Sequence, residues 1–321
     1  MVSADDAAAD GPRAAKTRVG RPSSPVPWMI WGMGRAWAWD TRGGLLELVD
    51  IGDRKVVRLP SSALDPRGTI LRFERRVRGM EPREAEHVEH NLLAGQSSLE
   101  TPVSIPRSYG PNGERLDVVM TEAALGRSTQ TEYTLTVKGS ATKLPVDDRI
   151  GYNESGSAAQ FTSDGRHLAL SHQTPDRQIS GITIIDLLHG KVNRFDEVEL
   201  VGSASWSPDG SRLLVASSPG AYPEVLDTQN GSLSRLDAVI EDPRDTPWLT
   251  LIGWLDDASL LAYRDVGSRM HLVAVDVKSG QRRALVSVAR PAPNAEISGV
   301  FMAQYVAQES PSSCGLPPAQ N

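Results

Sequence analysis

The stretch "SWSPDGSRLLVAS" at 205–217 joins an aromatic residue, a polar turn and an apolar run, and the same unit recurs along the chain. "QFTSDGRHLALSHQ" (160–173) and "SYGPNGERLDVVM" (108–120) repeat it closely. "GWLDDASLLAY" (253–263) and "ALDPRGTILRF" (63–73) repeat it loosely, and "PWMIWGMGRAWAW" (27–39) is the most degenerate copy. The opening bulky residues are Trp28, Leu64, Tyr109, Phe161, Trp206 and Trp254. Four positions later comes Gly32, Gly68, Gly113, Gly165 or Gly210, with Ala258 in the sixth copy. Such a period constrains the fold strongly, because one unit cannot bury both faces of its sheet and must stack on its neighbours.

Each copy has a second half in which an apolar run enters a turn and a short strand: "LELVDIGDRKVVRLP", "VEHNLLAGQSSLETP", "YTLTVKGSATKLP", "TIIDLLHGKVNRFD", "EVLDTQNGSLSRLD" and "LVAVDVKSGQRRALV". In the last three, Asp186, Asp227 and Asp276 precede Gly190, Gly231 and Gly280 by four positions. Pro-Asp-Gly and Asn-Gly between apolar runs are turn chemistry, since proline presets φ and glycine accepts positive φ. "RLLVAS" and "HLALSH" have the composition of strands. Each unit therefore supplies about four antiparallel strands, and the fold class is all-β, a β-propeller.

The unit "WSPDGSRLLVAS…EVLDTQNGSLSRL" resembles the WD40-like PD40 repeat of TolB-type propellers, with "FTSDGRHLAL…TIIDLLHGKVNRF" as a second copy. The chain also resembles WD40-repeat-type proteins of GC-rich actinobacteria. The intact Ser-Pro-Asp-Gly turn stands only at Ser207–Gly210. Residues 27–306 give about 47 residues per blade for six blades and about 40 for seven, where a WD40 blade takes about 40–45. Six copies are countable, so six blades are expected, with seven as the alternative.

A propeller must close, because free strand edges invite aggregation. The apolar segment "AEISGVFMAQYVAQE" (295–309) is expected to join the blade of the N-terminal copy and close the ring. The expected propeller spans 27–309, between disordered tails at 1–26 and 310–321. Long surface loops are expected between Tyr109 and Phe161. "GMEPREAEHVEHNLLAG" (79–95) reads equally as a helical insertion, with Ala85, Val88 and Leu92 on one face, or as a strand.

Few residues stand out as chemical candidates. His87 and His90, beside Glu86 and Glu89, would share a helical face and hold a metal, but no third ligand is evident and a solvated face is the favoured reading. Trp28, Trp31, Trp37 and Trp39 cluster; Trp37 and Trp39 share a strand face, and inter-blade packing is favoured over an exposed sugar- or partner-stacking pair. Arg72, Arg75, Arg76 and Arg78 read as a charged strand face rather than a phosphate or acidic-partner grip. Asp164, Asp186, Asp209, Asp227 and Asp276 recur with the repeat, which marks them as turn formers. No catalytic residue, metal site or cofactor is assigned, and the binding residues stay unknown. The chain has no G-x-S-x-G, P-loop, G-x-G-x-x-G or cysteine pair. Nothing remains beside the propeller for the hydrolase domain that accompanies it in prolyl-oligopeptidase-type enzymes.

A net charge of −6 argues against nucleic acid or anionic membrane as partner. The single cysteine, Cys314, excludes an intramolecular disulfide. Residues 1–25 hold no signal-peptide core, and no run approaches the ~20 apolar residues of a membrane span. The expected protein is a monomeric, cytoplasmic, non-catalytic propeller that binds a protein or small ligand through rim loops. The alternatives are a hydrolase or lyase with a site at the central funnel, and an exported or membrane-anchored protein should the true start lie upstream.

Overall fold

The computed structural model describes residues 17–303 except 33–34, 41–43, 49–55, 59–63, 66, 76–85, 101–106, 123–128, 145, 147–150, 153–158, 174–179, 218–221, 237–248, 267–268 and 290–296. Strands alone make up its regular structure among these residues, arranged as six sheets. Blade I consists of β2 (Trp28–Gly32), β3 (Arg35–Asp40) and β4 (Gly44–Leu48), completed by β26 (Ile297–Met302) and edged by β1 (Thr17–Gly20). Blade II is β5 (Val56–Arg58), β6 (Ile70–Arg75), β7 (Glu86–Asn91) and β8 (Gln96–Glu100). Blade III is β9 (Arg107–Tyr109), β10 (Arg115–Glu122), β11 (Thr129–Val137) and β12 (Ser140–Lys143).

In blade IV, β13 (Gly151–Tyr152) and β14 (Ala159–Phe161) both pair with β15 (His167–Gln173), followed by β16 (Ser180–Asp186) and β17 (Val192–Asp196). Blade V is β18 (Val198–Leu200), β19 (Arg212–Ser217), β20 (Pro223–Asp227) and β21 (Leu233–Arg235). Blade VI is β22 (Thr250–Trp254), β23 (Ser259–Val266), β24 (Arg269–Asp276) and β25 (Arg282–Ala289). Neighbouring strands are antiparallel throughout, apart from the parallel pair β1 and β4.

The expected closure is present. β26 pairs antiparallel with β2 from Trp28↔Met302 to Gly32↔Ile297, and Ala303 N–H donates to the Pro27 carbonyl at 2.8 Å. This closure also corrects the phase of the first repeat. Trp28 begins the second strand of its blade, not the end of the first, because the first strand comes from the other end of the chain. "LELVDIGDRKVVRLP" accordingly spans the last strand of blade I and the first of blade II. β1 and the buried Val26 lie inside the stretch 1–26 read as a tail. Residues 1–16 and 304–321 lie outside the described residues.

The strand reading of 79–95 holds for β7, while 79–85 lies outside the described residues. Val88 is buried against Phe73 across the sheet, and Leu92 follows in the turn.

Each middle strand has both faces covered by neighbouring blades, which is why "RLLVAS" is a continuous apolar run and not a strict alternation. In blades II, IV, V and VI the residue paired with the opening bulky residue is Leu71, Leu168, Leu213 or Leu260, and each packs toward the preceding blade. The next residue points the other way. Leu116–Leu135, Ala169–Ile184, Leu214–Val225 and Leu261–Ala274 are cross-strand pairs facing the following blade. The seam between blades VI and I buries Trp28, Ile30 and Trp37 against Ile252, Met270 and Leu272. The outermost strands of blades III and V, β12 and β21, are short and exposed at every residue.

Deleting 297–321 removes the first strand of blade I and uncovers both β2 and the seam with blade VI. The truncated chain is expected to be insoluble or to lose its cooperative melting transition. The check is soluble yield and thermal unfolding beside the full chain.

Candidate functional site

Strand direction sorts the connections onto two faces. In blades II–VI the first strand runs into a tight turn, the second returns, and the third comes back to the same side before turning into the fourth. The first-to-second and third-to-fourth turns thus share a turn face. All second-to-third and blade-to-blade connections open on the opposite, connection face.

On the turn face the recurrent aspartates bind their own backbone, as expected. Asp65 accepts from the N–H groups of Thr69 and Ile70, both at 2.6 Å. Asp164 accepts from Arg166 N–H at 2.9 Å and the Thr162 hydroxyl at 2.6 Å, and Asp209 does the same with Ser211 and Ser207 at 3.0 and 2.6 Å. Asp186, Asp227 and Asp276 each accept from the second and third N–H groups after them. In blade III Glu114 substitutes, accepting from Asn112 N–H at 2.8 Å.

These bonds fix the ionisation of the carboxylates. The His189 ring, then its backbone N–H, hold Asp186 down to about 2. Burial pushes Asp164 and Asp209 up, but hydrogen bonds from Thr162 or Ser207 and from the turn N–H outweigh it, leaving both below the usual range. Asp276 is lowered by the Ser279 hydroxyl and N–H. Such groups remain anionic at neutral pH with their oxygens engaged, which suits a turn and not a general acid.

The turns also join blade to blade. The Ser163 hydroxyl donates to the Pro208 carbonyl at 2.9 Å, and the Arg212 guanidinium to the Asp257 carbonyl at 2.8 Å while lying over the Trp254 ring. Gly202 has φ +73, and a Cβ there would overlap the Ile252 carbonyl of blade VI. The turn face is thereby occupied by its own hydrogen bonds.

The connection face differs in each blade. It carries 76–85 between β6 and β7, 101–106 between β8 and β9, 123–128 between β10 and β11, and 236–249 between β21 and β22. Two residues serve the same role at 33–34 and 267–268. Of the departure from the repeat read at 79–96, residues 86–96 belong to β7, its turn and β8, while the connection that contains 79–85 and the connection 123–128 leave from strand ends on the same face.

The candidate residues disperse in the fold. Positions 87 and 90 lie three apart on β7 and so on opposite faces of the strand, and the His87 side chain lies outside the described residues. His90 is buried with its Nδ1 2.8 Å from the Ser97 hydroxyl. Among the described residues no three His, Cys, Asp or Glu side chains form a metal-binding group. Trp37 is core, and Trp39 is partly buried and stacked on Trp28 with centroids 4.9 Å apart; the Trp31 side chain lies outside the described residues. Of the arginine cluster, Arg72 is paired with Glu89 at 2.9 Å and lies over the Tyr109 ring of blade III at 3.9 Å. The Arg75 side chain and residues Arg76 and Arg78 lie outside the described residues.

His172 is a buried titratable group that the sequence did not single out. It sits at the connection-face end of β15 on the side toward blade III, 1% exposed, with Nδ1 3.1 Å from the Thr183 hydroxyl. Its Nε2 lies 3.7 Å from Asp196, beyond hydrogen-bond length, and has no hydrogen-bond partner among the described residues. Gly181 is required opposite it, since a Cβ there would press on the ring at 2.5 Å. Burial, then the Arg194 charge, lower the imidazole to about 4 against the opposing pull of Asp196. On the facing blade, burial pushes the Tyr133 phenol up.

No protein-family model matches the chain, and no curated protein matches its sequence. Among solved structures, it is similar to TolB from Acinetobacter baumannii at 14% identity and TM-score 0.49, over 85% of this chain and 68% of that one. It is similar to an oligogalacturonate lyase in complex with manganese at 12% identity and TM-score 0.45, over 84% and 75%. A prolyl endopeptidase follows at 13% and 0.44, where 85% of this chain matches 42% of the other. These likenesses include the TolB-type propellers that the repeat resembles and concern the fold alone; they lend no support to an actinobacterial grouping.

The pH dependence of stability follows from His172. Its folded-state value of about 4 lies below the ~6.5 of an unfolded chain. The fold therefore holds the neutral imidazole, and the unfolded chain takes up the proton first. This contribution is fully present above pH ~6.5 and declines as pH falls toward 4. Wild type is expected to lose about 2 kcal/mol between pH 7.5 and 5 from this group. His172→Gln should remove that part of the slope, read by urea unfolding of both proteins at the two pH values.

Proposed function

We propose that the protein is a non-catalytic interaction scaffold that acts as a monomer in the cytoplasm and binds a protein partner through its connection face. The observation that carries this reading is the contrast between the faces. One is made of short, repeated turns whose polar groups satisfy one another. The other carries connections that differ in length and composition from blade to blade. On a repeat scaffold the strands hold position while such segments vary, so recognition belongs where the repeat is broken. The segment 76–85, "RVRGMEPREA", mixes both charge signs with few apolar residues, which suits a protein surface better than nucleic acid or membrane.

Replacing 76–85 by a short Gly/Ser linker spares β6 and β7. It is expected to leave melting nearly unchanged and to abolish retention of the native partner. Leu188→Arg, an exposed position on the turn face, should retain it. Retention by the linker variant would place recognition elsewhere. A lyase or hydrolase activity accompanied by stoichiometric metal in the purified protein would favour the enzyme reading instead.

A further inference from the structure

Five of the six seams between blades are filled by apolar clusters, and among the described residues none spans the seam between blades II and III. The substitution is specific to position. On blade II, the cross-strand pair that faces the following blade is Arg72 and Glu89, where the other blades place two apolar residues. On blade III, the residue paired with the opening Tyr109 is Arg115, and two positions on comes Asp117. Phe73, Leu170, Val215 and Ala262 are the counterparts of Asp117 in the other repeat blades, and all are in the core. Ile70, half-buried at the turn-face end, is an apolar contribution from blade II.

The charges are matched within each blade. Arg72 pairs with Glu89 and Arg115 with Asp117, each at 2.9 Å. The pairs are partly withdrawn from bulk water, with side-chain exposures of 13% for Arg72, 28% for Glu89, 44% for Arg115 and 14% for Asp117. The Arg72 Nε is buried with no hydrogen-bond partner among the described residues. Described contacts cross the seam near the turns. The Arg67 guanidinium donates to the Pro111 carbonyl with Nε at 3.0 Å, and Arg72 covers the Tyr109 ring. Both lie toward the turn face. A seam of ion pairs lacks the non-directional cohesion of buried apolar surface and draws in water, because its charged groups gain solvation as the faces part.

We infer that the seam between blades II and III is the separable joint of the ring. This does not rest on the proposed function.

Amide hydrogen exchange of the full chain tests it. Segments 70–75 and 115–122 are expected to exchange at least about tenfold faster than the equivalent 212–217 and 259–266. Equal protection of all four would overturn the inference. The combined variant Arg72→Leu, Glu89→Val, Arg115→Leu and Asp117→Leu should raise Tm and slow exchange in 70–75 and 115–122 to the level of the other blades. If that protein does not fold, Arg72→Met with Glu89→Met must still slow exchange in both segments. Unchanged exchange in a folded variant would show that the charges are not what loosens the seam.

Discussion

The pairing of β26 with β2 is the contact on which the rest of the ring depends. The two strands come from opposite ends of the described chain; without β26 the edge of β2 is unpaired, and β2 supplies the Trp28 and Ile30 that fill the seam to blade VI. Every other blade is completed locally, by strands adjacent in sequence. Closure thus converts a row of stacked sheets, each with two faces to cover, into a body with no uncovered end. It also explains the placement of the tryptophans: Trp28 and Trp37 fill the seam where first and last blades meet. Large rigid side chains contribute much buried area for little lost side-chain entropy at a contact between distant parts of the chain.

The turn chemistry has a consequence beyond local geometry. Where Asp186 or Asp276 accepts two backbone N–H groups, the turn is complete without help from solvent or a ligand. The first-to-second turn then receives the third-to-fourth turn of its own blade, as in Leu187 N–H to the Arg166 carbonyl at 2.8 Å and Thr228 N–H to the Ser211 carbonyl at 3.0 Å. One rim of the propeller is spent on holding the blades in shape. Variation is left to the other rim, where connections leave strand ends that the repeat has already fixed.

The blade count, the closing strand and the structural role of the aspartates were all legible in the sequence, because each depends on short-range spacing that glycine and aspartate mark. The first repeat was misphased by one strand for a physical reason. Its first strand, β26, and its second, β2, lie far apart in sequence, so no contiguous stretch contains the pair. The helix signals around Glu86 and Leu92 gave way to pairing with β6, as tertiary contacts override local propensity. His172 carried no signal at all, since its burial arises from blade stacking and from the missing side chain at Gly181.

The charged seam was present in the sequence but hidden by the alignment of the repeats on their turns. The turn of blade III is one residue shorter, closing from Gly110 to Glu114 where blade IV closes from Thr162 to His167. Aligned on glycine, Leu116 matches Leu168 and the blade looks ordinary. Aligned on strand pairing, Arg115 takes the place of Leu168 and Asp117 that of Leu170. Each apolar side chain forgone at such a position gives up about 1.5–3 kcal/mol of burial. Five apolar seams and a paired closing strand hold the ring without that contribution. A closed ring is the architecture in which one seam can be weak while the blades on either side remain tethered through the other five.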